Sequence, residues 1–306
     1  MPASLRARGV SGPVLAMLAL LAVAVVWGSS FPLTKVMLDS LSPRQFLAIR
    51  FAMAAVALVL AFPRALRRLS RRALLQGCAL GVVYGAAQLV QTTGLAYTPA
   101  TVSGFITGLY VVLTPLCAAV LLRSGIGARA WVGAVLAVVG LGVLALRGLS
   151  LGYGEWLTLV SALLFALHIV GLGAWATARE ALGVAVVQMV AIAVVCTVAT
   201  VPEGFAAPRS AGGWVILVYL AVVSGALAMI VQTWAQSQIS ASRAAIVMST
   251  EPGWSAVLSI AFFGEPLTWR VLVGGALMLA AMMVVELGPR SPSEPAGPED
   301  LPKLAG

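Results

Sequence analysis

The sequence predicts an all-α integral membrane protein whose ten transmembrane helices form two inverted repeats of five helices. Three observations predict this fold class. The 306 residues are 61% hydrophobic and only 9% charged, whereas soluble domains carry roughly 25% charged residues. Ten apolar runs approach membrane-spanning length, and polar and small residues recur at a fixed separation in the two halves of the chain.

The apolar runs follow one another with short connections. A helix needs about 20 residues to cross roughly 30 Å of hydrocarbon, and the predicted spans are 13–36, 43–62, 74–96, 101–122, 130–147, 153–175, 182–201, 213–236, 242–263 and 268–287. The first run contains Ala22-Val23-Ala24, which mimics a signal-peptide cleavage site. The run continues beyond the length of a signal segment, so we expect it to remain as the first helix. Residues 288–306, rich in proline and acidic residues, are predicted to be a disordered cytoplasmic tail.

The internal repeat relates residues 13–147 to residues 153–287. Gln91-Thr92 recurs as Gln232-Thr233, a separation of 232 − 91 = 141 residues, and Gly133-Ala134 recurs as Gly274-Gly275 at the same separation. Because five is an odd number of helices, the second repeat must enter the membrane in the opposite direction to the first. Such inverted repeats are typical of secondary transporters.

Lysine and arginine predict the orientation. With the N-terminus inside, thirteen of the nineteen basic residues fall on the inner side, five fall outside and Arg50 lies within a helix. Both termini are therefore predicted to be cytoplasmic, in a multi-pass protein of the plasma membrane, which in a bacterium is the inner membrane. Five of the inner residues crowd one connection: Arg64, Arg67, Arg68, Arg71 and Arg72.

Several function classes are excluded by what the sequence lacks. The net charge of +9 is spread over loops, without the aromatic-interleaved basic stripe of a nucleic-acid site. The three cysteines have no CxxC spacing and the single histidine has no metal-binding partner nearby, so no metal and no cofactor are predicted. Motifs for ATP hydrolysis, serine hydrolysis and zinc proteolysis are absent, and the protein is not expected to be an enzyme.

Motifs in order along the chain resemble the EamA family of the drug/metabolite transporter superfamily. They are Trp27-Gly28-Ser29-Ser30-Phe31, Pro43 leading to Arg50, Leu113-Thr114-Pro115, Glu251-Pro252 and Gly264-Glu265-Pro266. The resemblance covers about residues 13–287 and implies ten helices in two repeats, with export of amino acids, metabolites or drugs. The chain departs from the family pattern at Gly125-Ile126-Gly127, the first-half counterpart of Gly264-Glu265-Pro266, which has no acidic residue.

Two ionisable residues are predicted at membrane depth. Glu251 falls nine residues into the predicted ninth helix, where a charged group is costly and is a functional candidate by default. We expect it to contact the solute or to exchange a proton, although a protonated carboxyl that bonds a neighbouring helix is an alternative. Arg50 has three alternatives: to extend outward to the membrane surface, to pair with Glu251, or to bind a substrate carboxylate.

Helix three carries Gly77, Gly81 and Gly85, a double GxxxG pattern that predicts close helix packing. Gln88 continues that face and Gln91 lies about 40° to 60° further round. Gln232 repeats Gln91 in helix eight. The glutamines are therefore candidates for lining a solute cavity, with interhelical hydrogen bonds as the alternative.

Trp27 and Ser30 share one face of helix one and form a candidate wall for the solute, with core packing as the alternative. His168, in the middle of helix six, is a candidate for proton coupling or a hydrogen-bonded structural residue.

Together these features predict a secondary transporter that exports a small metabolite or amino acid by alternating access, with proton entry as a candidate driving force. A channel, a non-transporting scaffold and an intramembrane enzyme acting on lipid-linked substrates are the alternatives. The expected surroundings are the lipid bilayer and a small-molecule solute, without nucleic acid. The oligomeric state is open, with a homodimer among the arrangements that the sequence allows.

Overall fold

A computed structural model of the chain describes residues 12–66, 69–121, 126–146, 150–175, 180–236 and 247–286. Its long helices are α1 (Gly12–Leu38), α2 (Pro43–Ala61), α3 (Arg71–Tyr97), α4 (Ala100–Gly108 and Tyr110–Leu121), α5 (Ala128–Ala145), α6 (Tyr153–Trp175), α7 (Ala181–Thr200), α8 (Ala211–Val218, Tyr219–Leu227 and Ala228–Gln236), α9 (Glu251–Phe263) and α10 (Trp269–Glu286). Both termini, with the predicted tail at 288–306, lie outside the described residues.

Throughout the described ranges the protein is helical, without a β-strand, as predicted. Eight helices there, α1 to α8, are long and apolar enough to cross a membrane. The other two are shorter: α9 has 13 residues, and the apolar part of α10 is Trp269–Val285. Helix starts follow local sequence. For example, Ser42 and Gln45 form a capping box ahead of α2, which has Pro43 in its first turn.

The structure differs from prediction at the ninth helix, which was expected to run unbroken over 242–263. Residues 247 and 248 are helical, 249 and 250 form a turn, and α9 begins at Glu251. Pro252 explains this restart, because proline lacks an N–H for a continuous helix but fits the first turn of a new one. Residues 242–246 of the predicted span lie outside the described residues.

The contacts between helices follow the internal repeat. When both helices of a major contact are replaced by their counterparts in the other half, five places along the chain, the result is another observed contact. α3 packs on α6 as α8 packs on α1, and α1 packs on α9 as α6 packs on α4. α3 packs on α7 as α8 packs on α2, while α2–α7, α4–α9 and α5–α10 are pairs of corresponding helices. The two halves therefore contribute equivalent helices to equivalent positions.

Corresponding helices also run antiparallel where close contacts define their direction. A Cβ atom on Gly133 of α5 would lie 3.1 Å from the Ala281 carbonyl of α10, and one on Gly140 would lie 3.0 Å from the Gly274 carbonyl. Residue numbers rise along one helix as they fall along the other. The two contacts are also counterparts, since Gly133 and Gly140 correspond to Gly274 and Ala281 at the 141-residue separation.

The α4–α9 pair repeats this arrangement nearer the centre of the bundle. A Cβ on Gly104 would lie 2.7 Å from Ser255 Oγ, and one on Gly108 would lie 2.6 Å from Pro252 Cγ. The contacts again rise along α4 and fall along α9, so these two helices are antiparallel.

Relative to α3, its counterpart, α8 has one inserted residue between two stretches that match. Residues 221–226 (AVVSGA) match 81–86 (GVVYGA) at a separation of 140, whereas Gln232-Thr233 matches Gln91-Thr92 at 141. The helix accommodates the extra residue in the π-helical stretch Tyr219–Leu227, because a π-helical turn is wider than an α-helical turn.

The glycines of α3 face α7, as their GxxxG spacing predicts. A Cβ on Gly81 would lie 2.6 Å from Ala191 Cβ and 2.7 Å from the Gln188 carbonyl oxygen. Gly77 and Gly85 are similarly close to valines of α7. The backbones of α3 and α7 therefore touch along two turns, and larger residues do not fit there.

The outer surface is apolar, with aromatic residues at two levels. Exposed tyrosine and tryptophan side chains cluster at the helix ends near Lys35: Tyr97, Tyr153, Trp156, Trp214 and Trp269. A second set lies at the opposite helix ends: Trp131, Trp175 and Trp234. Aromatic belts of this kind mark the two membrane–water interfaces. We name the membrane face at the first belt the Lys35 face.

Candidate functional site

Trp27 of α1 docks on the π-helical stretch of α8. Its indole Nε1–H donates to the Ser224 carbonyl at 2.9 Å. The Ala228 N–H bonds the carbonyls of Val223 and Gly225 and so bypasses Ser224, its partner in a regular α-helix. Trp27 thus supplies a hydrogen bond to a carbonyl displaced by the inserted residue, and its indole ring remains half-buried beside it.

Ser30 lies one turn along the same face of α1. Its hydroxyl donates to the Trp27 carbonyl at 2.6 Å, a bond within the helix that leaves the hydroxyl oxygen available as an acceptor. The side chain is half-buried. The predicted face of α1 is therefore present, with the indole N–H of Trp27 already used by α8.

Arg50 of α2 is only 9% exposed and lies deep in the bundle. Its Nε donates to the Leu220 carbonyl of the π-helical stretch at 3.3 Å, and its guanidinium lies 5.8 Å and 5.3 Å from the ring centroids of Phe46 and Phe51. Arg50 therefore does not extend to the membrane surface. Within the described residues its Nη groups make no hydrogen bond and no ion pair with Glu251, so of the three alternatives for Arg50 this pairing is not formed either.

Tyr84 of α3 connects several of the predicted residues. Gln88, one turn further and buried, donates from Nε2 to the Tyr84 hydroxyl at 3.4 Å. Tyr84 lies within electrostatic range of both Arg50 and Glu251. Tyr84, in the middle of α3, is thus hydrogen-bonded to Gln88 and lies close enough to Arg50 and Glu251 to interact with their charges.

His168 of α6 is held from two sides. Its Nε2 lies 2.6 Å from Gln188 Oε1 of α7, and its ring packs edge-on against Tyr84 with centroids 5.0 Å apart. The side chain is buried. His168 is therefore hydrogen-bonded in the interior and adjoins the tyrosine around which the other predicted residues gather.

Gln91 and Gln232 lie on opposite sides of the membrane centre. Gln91 is six residues from the end of α3 at the Lys35 face, and Gln232 is four residues from the other end of α8. Gln91 Nε2 donates to Thr107 Oγ1 at 3.0 Å. Gln232 is half-buried, and its side chain bonds no group in the described part of the chain.

Glu251 is the first residue of α9 rather than a mid-helix residue, because α9 restarts at Pro252. It stands 12 residues before Phe263, or about 18 Å from the Lys35-face end at 1.5 Å per residue, and so remains at membrane depth. Gly28 of α1 adjoins it, since a Cβ there would lie 3.0 Å from the Glu251 carbonyl. The half-buried side chain forms no hydrogen bond with a described residue.

Trp27 and Arg50 therefore contact the π-helical stretch of α8, and Gln88 and His168 contact Tyr84 of α3. Glu251 lies beside Gly28 of α1, while Gln91 and Gln232 lie nearer the membrane faces. Sequence reasoning missed Tyr84. The available signal was its spacing, since Tyr84, Gln88 and Gln91 follow one another at i, i+4 and i+7 and share one helix face.

An apolar groove on the outer surface is separate from this polar region. It lies between α2 and α7 and is lined by small and branched residues such as Ala52, Val56 and Val194. None of the predicted site residues lines it, and its exposed valines face the lipid.

Comparison with known proteins identifies the family. The sequence pattern of the EamA-like transporter family matches residues 14–146 and again residues 152–287. This chain belongs to the EamA-like transporter family. A relative named as an uncharacterized transporter, from Archaeoglobus fulgidus, is 32% identical to this EamA protein over 271 residues, covering 88% of this chain and 85% of its own.

A second relative is a probable terminal-alkyne amino-acid exporter from Streptantibioticus cattleyicolor, 28% identical over 277 residues and covering 87% of this chain and 92% of its own. One protein of known crystal structure superposes on 89% of this chain and 96% of its own, with a TM-score of 0.63 and 17% identity; this likeness concerns the fold alone. The EamA protein is therefore a multi-pass membrane transporter and not an enzyme, and it works in a lipid bilayer on a small solute.

Proposed function

We propose that this EamA protein is a secondary transporter that exports a small metabolite or an amino acid across the plasma membrane by alternating access. Two inverted halves, residues 13–147 and 153–287, each supply five of ten transmembrane helices in this proposal. The observation that carries it is the antiparallel packing of the corresponding helices α4–α9 and α5–α10, with contacts in α5–α10 that the repeat relates to each other. Halves related in this way can rock against each other and open a central site to either face.

The proposed solute site consists of Trp27, Ser30, Arg50, Gln88, Gln91, Gln232 and Glu251. The Nη groups of Arg50 suit a carboxylate, which arginine binds with two parallel hydrogen bonds. The Glu251 carboxylate suits an ammonium group. A site with one group of each sign favours a zwitterion, and the amino-acid exporter among the relatives supports that solute class.

Glu251 and His168 are the proposed proton-coupling residues. Glu251 is an acid at membrane depth, and such groups serve proton relays in transporters. His168 reaches the same region through its ring contact with Tyr84. In this proposal a proton that enters the cell occupies the site after the solute has left it.

Both termini are proposed to be cytoplasmic, with the protein in the plasma membrane. Basic residues support this orientation, since most of them fall on the side of the N-terminus. The Lys35 face is then the outer face.

Proteoliposomes test the transport activity. Vesicles that contain the purified protein and a panel of labelled amino acids and metabolites should release at least one of them faster than protein-free vesicles. An acidic outer medium should accelerate this release several-fold, because proton entry would drive solute exit. If the folded protein releases no member of a broad panel, the transport proposal fails. Release that does not saturate with solute and ignores the proton gradient would favour a channel.

A further inference from the structure

Glu265 joins the two halves of the protein at the Lys35 face. It lies in the connection between α9 and α10, and its carboxylate oxygens accept hydrogen bonds from the backbone N–H groups of Ala100 at 2.6 Å and Thr101 at 3.0 Å. These N–H groups begin α4, in the other half of the chain. A carboxylate at a helix N-terminus is stabilised both by the hydrogen bonds and by the helix dipole.

Lys35 of α1 binds the end of α3, the helix that precedes α4. Its Nζ donates to the carbonyls of Leu95 at 3.0 Å and Thr98 at 2.5 Å, where α3 ends. Lys35 is also within electrostatic range of Glu265. The short connection between α3 and α4 is thus held between a cation from α1 and an anion from the second half.

The turn that contains Glu265 has a well-defined backbone conformation. α9 ends at Phe263 and is followed by Gly264, whose φ of 71° is left-handed and favours glycine. The N–H groups of Gly264 and Glu265 both bond the Ser259 carbonyl, which fixes the turn. Pro266 follows at once and limits the backbone further. Glu265 therefore reaches α4 from an ordered turn.

At the opposite face, the connection that corresponds to the one containing Glu265 has no acidic residue. The first-half counterpart of Gly264-Glu265-Pro266 is Gly125-Ile126-Gly127, which offers no carboxylate to a helix N-terminus. The opposite face has a different link between the halves, since the backbone N–H of Ser70, ahead of α3, donates to Glu180 Oε1 at 3.0 Å. The Glu265 link is therefore particular to the contact between α4 and the α9–α10 connection. An interaction present in only one of two states shifts the equilibrium toward that state.

We propose that Glu265 is a gating residue that, together with Lys35, holds the Lys35 face closed. This inference rests on the proposed alternating access. Opening at the Lys35 face separates the α9–α10 connection from α4 and breaks both bonds of Glu265. The same movement separates Gly104 of α4 from Ser255 of α9 and exposes the interior beside them.

Thiol labelling measures the state of this gate. Ser103 is fully buried one turn into α4, next to the contact between Gly104 and α9. In a background with the three native cysteines replaced, Ser103→Cys should react slowly with a membrane-impermeant thiol reagent applied to the Lys35 face. Glu265→Ala should raise that rate about tenfold, because two charge-assisted hydrogen bonds of the closed state are lost. Glu265→Gln, which keeps one acceptor oxygen, should give a smaller increase.

Asp39→Asn is the matched control. Asp39 is an exposed acid on the same face and is near Lys35, but it makes no side-chain hydrogen bond to α4. Its neutralisation should leave labelling at the wild-type rate. Lys35→Met is the second test variant, since it keeps the α4 cap intact, and it should also raise labelling from the Lys35 face.

The gating role is wrong if neither the folded Glu265 variants nor Lys35→Met label faster than wild type, or if the increase occurs only from the opposite face. The labelling rate does not depend on the solute. A protein that moves no solute but shows this labelling pattern would refute the proposed function while leaving the gate in place.

Discussion

Replacing Glu251 by glutamine should lower proton-driven transport by about thirtyfold or more while the protein still inserts and folds. In the proposed site the Glu251 carboxylate pairs with the ammonium group of the solute, and loss of one partner of such a desolvated pair costs at least about 2 kcal/mol. A glutamine side chain also provides no site for the coupled proton. The side chain is half-buried at the start of α9, without a hydrogen bond to a described residue. The change should therefore affect the fold much less than transport.

The measurement is solute release from proteoliposomes over a range of external pH, with the amount of monodisperse protein as the check on folding. Glu203→Gln is the matched control, because Glu203 forms an ion pair with Arg44 at 2.8 Å on the surface. Exposed pairs of this kind contribute at most about 1 kcal/mol, so this variant should transport normally. Normal transport by Glu251→Gln at every pH would show that Glu251 has no part in coupling.

Replacing Gly81 by leucine should reduce the yield of folded protein several-fold. Even a Cβ atom at this position would lie 2.7 Å from the Gln188 carbonyl oxygen, and α7 cannot move away without breaking the backbone contact along both helices. Overpacking a close interface costs about 1–3 kcal/mol. The measurement is the monodisperse fraction after detergent extraction, together with its melting temperature.

Gly142→Leu in α5 is the control for the change of glycine to leucine. A Cβ there would meet only Leu146 of its own helix, at 3.4 Å, so the larger side chain has room. If Gly81→Leu is extracted and melts like the wild type, α3 and α7 are not in the close contact described.

The positions of the helices could be predicted from the sequence because the bilayer imposes a length on each apolar run. The interruptions within helices, at Pro252 ahead of α9 and in the π-helical stretch of α8, could not be predicted as well. Pro252 was visible, yet its effect depends on where the preceding helix ends, and a proline can kink a helix or begin a new one. The extra residue in α8 did leave a signal, the change of repeat separation from 140 to 141 around residues 221–233.

The candidate site was predictable as a set of residue types and less so as a set of contacts. Intramembrane Arg50 and Glu251 stand out because charged groups in lipid are costly. Their partners depend on helix rotation, which spacing within one helix does not define. The Leu220 carbonyl that accepts from Arg50, for instance, belongs to the π-helical stretch of α8, which no spacing within α2 predicts. Tyr84 could not be singled out, because one aromatic residue in an apolar helix is usually part of the packing.

In the sequence alone, Glu265 is a member of a family motif ahead of α10 and shows no structural role. An acid after a helix C-terminus is usually solvated, and nothing local indicates that it caps a helix of the other half. The contact follows from the antiparallel arrangement of α4 and α9, which brings the beginning of one beside the end of the other.

The most direct test of two inverted halves that alternate is cysteine labelling at Gln91 and Gln232 in the same preparation. Gln91→Cys should react from the Lys35 face alone and Gln232→Cys from the opposite face alone. Conditions that speed one reaction, such as added solute or a proton gradient, should slow the other. Reaction of both cysteines from both faces at once, or no reaction at either position under any condition, would contradict alternating access between the halves.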